Sequence, residues 1–90
     1  IDYVSRLALF LKENPTIRLE IAGHTDNSGN KESNLKLSQT RADEVKKQLV
    51  IAGINEQRLS AKGFGDTKPI KPNATPEGKT WNRRVEFIRL

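Results

Sequence analysis

The 90-residue chain contains no cysteine. A disulfide framework and a thiolate metal centre are therefore both excluded, and redox chemistry gives no clue to compartment. Long apolar runs are missing too: nothing approaches the roughly 20 residues that span a bilayer, and Ile1 opens a helical pattern rather than a charged-then-apolar leader. Any leader or anchor is expected outside this stretch. Histidine occurs once and aromatic residues make up 6% of the chain. With 34% hydrophobic residues, the sequence can bury one modest core, which points to one domain over residues 1–90.

Charge is not scarce. Sixteen Lys and Arg against eleven Asp and Glu give a formal net charge of +5, which favours an anionic partner. The basic residues are scattered, however, with Lys46-Lys47 and Arg83-Arg84 the only adjacent pairs. No aromatic residues are interleaved to stack bases, so nucleic acid is not the expected partner.

Val4, Leu7, Ala8 and Leu11 recur at helical spacing and predict a helix over 1–13, stopped at Asn14-Pro15. Ile17, Leu19 and Ile21 alternate with charged residues and predict a strand over 16–22. Residues 23–30 are dense in turn formers and predict a loop leaving that strand. A second helix is expected over 34–52, ended by Gly53. A short strand follows over 58–63, with Gly63-Phe64-Gly65 as a flexible exit. Three prolines make 66–78 irregular, with one helical turn capped by Thr75 ahead of Pro76. Residues 84–90 close the chain as a strand. The order suits a two-layer α+β fold with both helices on one face of the sheet. Three strands make a thin sheet, so a further strand is expected ahead of Ile1.

His24, Asp26 and Ser28 suggest a catalytic triad only superficially. Residues two apart on a tight loop cannot align nucleophile, base and orienting acid in one row. His24 is read instead as a structural residue capping the loop. Asp26, Ser28 and Asn30 open like a calcium loop, but the sixth position is Lys31 and the twelfth Leu37, where glycine and a bidentate glutamate belong. Neither catalytic residues nor a metal site is expected.

Asp26 and Arg41 are more informative. Asn34 and Arg41 lie seven apart on the predicted helix and face one way, and the Asp26 loop leads into that helix. An acid, a base and an amide there could receive a zwitterion, the carboxylate taking an ammonium and the guanidinium forking a carboxylate. A plain Asp26–Arg41 salt bridge explains the same spacing. Trp81 is expected to pack over the loop, Leu37 to be a packing residue, and Arg84 to be solvated on the face opposite Val85 and Phe87.

Four pieces occur in order: Gly23-His24-Thr25-Asp26-Asn27-Ser28-Gly29; Asn34 with Leu37, Ser38, Arg41, Ala42, Val45 and Leu49; Gly63-Phe64-Gly65 with Pro69; and Asn82-Arg83-Arg84-Val85-Glu86-Phe87. Together they resemble the OmpA-like C-terminal domain, a peptidoglycan-binding family. The resemblance implies a βαβαββ sandwich with a mixed sheet, its first strand missing from this stretch, and no catalysis or cofactor. It also implies a periplasmic location tethered to the outer membrane through another region, with no membrane insertion by this segment itself. The implied partner is peptidoglycan, bound at the meso-diaminopimelate of the stem peptide, with a homodimer left open. By the same resemblance Asp26 takes the diaminopimelate ammonium and Arg41 its carboxylate, while Asn34, Thr25 and Arg83 line the pocket. An interaction domain of a flagellar stator, secretion or lipoprotein complex is the alternative.

Overall fold

The computed structural model describes residues 2–90, with Asp2 in its backbone only; the Ile1 end of the first expected helix lies outside them. Helix α1 (Asp2–Glu13) buries Val4, Ala8 and Leu11, the three-and-four-spaced face. It stops where the Asn14 amide donates to the Phe10 carbonyl. The Arg58 guanidinium then gathers the carbonyls of Leu11, Asn14 and Ile17 at 2.8–3.1 Å, placing a cation at the negative end of the helix dipole.

Strand β1 runs Leu19–His24, later than the expected 16–22. The alternation of apolar residues begins at Ile17, but the paired register among the described residues starts at Leu19, with the Arg18 carbonyl accepting from the Leu90 amide just before it. At the other end they continue through Gly23 and His24, residues whose composition suggests a turn. Helix α2 (Lys31–Ile51) also starts three residues early, because the Asn30 side chain accepts from the Glu32 and Ser33 amides and caps it. A 3₁₀ turn at Glu56–Arg58 precedes β2 (Leu59–Gly63). Thr75 caps α3 (Pro76–Asn82) with proline in its first turn, as expected, although α3 runs seven residues rather than one turn. Strand β3 (Arg84–Arg89) ends the fold.

The sheet is mixed, in the order β2-β1-β3: β1 pairs in parallel with β2 and antiparallel with β3. Leu19, Ile21 and Gly23 share one face with Leu59, Ala61 and Gly63 on one side and Phe87 and Val85 on the other. Both α1 and α2 cover that face. Tyr3 meets Phe87 with ring centroids 6.1 Å apart, and Ala42, Val45 and Leu49 of α2 join the core. Leu37 is no packing residue; it is 44% exposed. The layered α+β architecture is thus the expected one.

The Gly63-Phe64-Gly65 exit is pinned rather than flexible. The Phe64 amide donates to the Gly23 carbonyl, the Thr25 amide to the Gly65 carbonyl, and the Gly65 amide to Ser38 Oγ. Gln39 bonds both Ala61 and Gly63. These clamps bring α2 so close to the strand ends that no side chain fits at Gly23 or Gly63.

Candidate functional site

The C-terminal end of β1 delivers a loop whose shape is set by its own polar side chains. Asp26 Oδ1 accepts the Ser28 amide at 2.8 Å, an Asx turn. Buried Thr25 donates its hydroxyl to the Asp26 carbonyl at 2.8 Å. Asn34, also buried, reaches up from the first turns of α2 and donates to the Ser28 carbonyl at 2.9 Å. The Thr25 hydroxyl and Asn34 Nδ2 are therefore committed to holding the loop. That loop presents the Asp26 carboxylate, whose side chain is 9% exposed.

Its partner comes from the other end of the chain. Arg83 Nη1 donates to Asp26 Oδ2 at 2.5 Å, and Nη2 donates to Thr80 Oγ1 at 3.1 Å. The expected alternative, a structural Asp26–Arg41 salt bridge, is thereby corrected: Asp26 has an ion pair, but with Arg83, because the chain enters β3 beside the β1 loop. Asn82, fully buried, fixes that entry. Its side chain accepts from the Ile70 and Lys71 amides and donates to the Lys71 carbonyl and to Asn73. The sequence points to Arg83 as a pocket-lining residue but not to its pairing with Asp26, and it signals Asn82 only through its place in the Asn82-Arg83-Arg84 piece. Lys79 was missed as well; its Nζ reaches Ser28 Oγ at 3.1 Å.

Arg41 is exposed on α2 and makes no ion pair among the described residues. It lines an open groove of about 570 Å³ together with Tyr3, Arg83, Arg84, Val85 and Phe87. Arg83 thus joins two regions, the groove it shares with Arg41 and the loop where it holds Asp26. Ser28's amide, ahead of Arg83, keeps the Asp26 carboxyl below its usual range in spite of burial. Among the described residues no three His, Asp or Glu side chains gather as a metal-holding cluster.

Two further expectations change. Trp81 does not pack over the loop and is 60% exposed. Arg84 is not solvated: it bonds Glu86 at 2.5 Å and the Lys68 carbonyl at 2.9 Å, leaving its side chain 15% exposed.

His24 does not cap the loop with its ring. It is buried, stacked 5.3 Å from the Phe64 ring, and neither ring nitrogen has a hydrogen-bond partner among the described residues; Nε2 lies 3.8 Å from Glu86. Burial first, then Arg84 and Lys68, push its pKa below the usual 6.5, against the pull of Glu86. The neutral ring is therefore favoured in the fold. Stability is unaffected well above pH 6.5; it falls as pH drops through 6.5, because the unfolded chain binds the proton first, and the loss is complete below the folded value. His24→Phe keeps the stack and removes the titration. Its melting temperature should fall less between pH 8 and pH 5 than that of the wild type, and equal slopes in the two proteins would refute the assignment.

Residues 2–83 match the OmpA family. Outer membrane porin F of Pseudomonas fluorescens is 47% identical over 83 residues, covering 92% of this chain and 26% of that protein. The peptidoglycan-binding protein ArfA of Mycobacterium tuberculosis is 41% identical over 87 residues, covering 97% of this chain and 27% of ArfA. The chain thus spans about a quarter of the length of these relatives. In structure it is similar to the peptidoglycan-associated lipoprotein of Burkholderia pseudomallei, with a TM-score of 0.92 and 30% identity over 97% of this chain and 74% of that one.

Proposed function

Since this chain belongs to the OmpA family, we propose that it binds peptidoglycan without catalysis, at the diaminopimelate of the stem peptide, and anchors an envelope component to the cell wall. On this reading it works in the periplasm and is tethered to the outer membrane through a region beyond this segment. The observation that carries the proposal is a nearly buried acid paired with Arg83, an arginine that also lines a groove with Arg41. Asp26 supplies a fixed negative charge against Arg83, and Arg83 and Arg41 supply forked donors along the groove they share. The distal carbon of diaminopimelate carries an ammonium and a carboxylate, the two charges such a site complements. The names of ArfA and of the Burkholderia lipoprotein, both tied to peptidoglycan, support the same partner.

Co-sedimentation with diaminopimelate-type sacculi tests the proposal. Binding should weaken with salt without vanishing, since a partly buried charge pair is screened less than a diffuse basic surface. Binding to DNA should be weaker and collapse steeply with salt. Equal binding to DNA and sacculi, both abolished by moderate salt, would identify nothing more than a polycation of net charge +5.

A further inference from the structure

We propose that Arg83 is an internal occupant of the acidic end of the site, and that the need to displace it makes the site select ligands in which a carboxylate accompanies the ammonium. The inference rests on the peptidoglycan reading and adds a mechanism of specificity to it.

Both oxygens of the Asp26 carboxylate are engaged in the free chain, Oδ1 by the Ser28 amide and Oδ2 by Arg83 Nη1. Its side chain is 9% exposed, so the guanidinium covers Oδ2 and an ammonium reaches that oxygen most directly by taking its place. Arg83 is able to yield. Its side chain is 44% exposed, its other bond goes to an exposed threonine hydroxyl, and its backbone is held separately through the bond from its amide to the Lys79 carbonyl. The guanidinium can therefore swing into the groove it already lines with Arg41.

What it meets there decides the exchange. Asp26, Arg83, Arg41 and Lys79 together carry two positive charges in excess, and Lys79 stands at the same loop through Ser28. A lone ammonium swaps one cation for another on Asp26, leaves Arg83 unpaired and raises the excess to three. A group bearing both charges leaves the excess unchanged and offers the released guanidinium a carboxylate to fork. Specificity then comes partly from a built-in competitor that penalises the wrong ligand, beyond the contacts made with the right one.

The test uses soluble stem tetrapeptides identical except at the third residue, meso-diaminopimelate in one and lysine in the other, titrated by calorimetry into the wild type, Arg83→Gln and Arg83→Lys. Wild type should prefer the diaminopimelate peptide. In Arg83→Gln the lysine peptide should bind more tightly than it does to wild type, by about fivefold, while the diaminopimelate peptide weakens, so that discrimination narrows by at least roughly tenfold. Arg83→Lys keeps a cation on Asp26 and should restore exclusion of the lysine peptide. A merely structural role for Arg83 would weaken both peptides together. If wild type binds the diaminopimelate peptide but Arg83→Gln binds the lysine peptide no better, or Arg83→Lys behaves like Arg83→Gln, the competitor is refuted while the peptidoglycan reading stands. Absence of diaminopimelate-peptide binding by wild type overturns both.

Discussion

Gly23→Ala is expected to destabilise the fold by about 3 kcal/mol or more, and Gly63→Ala by a similar amount, at the upper end of overpacking costs. A Cβ built on Gly23 lies 2.2 Å from the Ser38 carbonyl oxygen, and one on Gly63 lies 2.3 Å from the Gln39 amide nitrogen. Both obstacles are backbone atoms in the middle of α2, so no side-chain rotation relieves the clash. The helix has to back away. Doing so breaks the clamps from Ser38 to Gly65 and from Gln39 to Gly63 and Ala61, and opens the core beneath Ala42. Against a total stability of about 5–15 kcal/mol, such a loss should lower the melting temperature by on the order of 15 °C for a domain of this size. Gly29→Ala is the control: its φ of +81° strains any other residue, but nothing among the described residues beyond its chain neighbours lies within 4 Å of the added Cβ, so about 1 kcal/mol is expected. Chemical denaturation of the three variants measures the difference. A Gly23→Ala variant no less stable than Gly29→Ala would show that the helix does not sit where the close approach requires.

These two glycines also mark the limit of what the sequence discloses. Local periodicity places α1, β1 and α2 within about three residues, because the three-and-four spacing of Val4, Ala8 and Leu11 and the alternation of Leu19 and Ile21 are consequences of helix and strand geometry alone, whereas the 3₁₀ turn at Glu56–Arg58 has no such signal. Gly23, Gly63 and Gly65 are equally good turn formers, and composition cannot distinguish a residue that must bend from one that must leave room. The same holds for Ser38 and Gln39, polar residues on a helix whose purpose is to bond a strand end about 25 positions away. Asp26 and Asn34 were readable as neighbours because a short loop joins them. The Asp26–Arg83 pair spans 57 positions, and spacing has no purchase at that range; only the antiparallel register of β3 on β1, with Arg84 opposite His24, brings Arg83 to the loop.

Arg41→Ala should weaken binding to diaminopimelate-type sacculi by about 2–4 kcal/mol, roughly 30- to 1000-fold, while leaving the melting temperature almost unchanged. The asymmetry follows from the free chain. Arg41 is exposed and bonds no acid among the described residues, so its removal costs the fold little; its effect is expected in the complex, where the substitution takes the forked donor from the ligand carboxylate. Asp26→Ala is predicted to differ. Besides losing the ligand ammonium, it strips the acceptor from the Ser28 amide and the partner from Arg83, so binding and stability should fall together, the latter by about 1–2 kcal/mol. Asp26→Asn retains an acceptor for the Ser28 amide, and its loss of stability should be smaller while its loss of binding remains. Arg41→Lys should fail nearly as badly as alanine, since an ammonium keeps the charge but cannot fork a carboxylate. Sacculus binding and thermal melting measured on the same four variants separate ligand roles from structural ones. A well-folded Arg41→Ala variant that binds sacculi as the wild type does would remove Arg41 from the proposed site and leave Arg83 as the remaining groove donor to a ligand carboxylate.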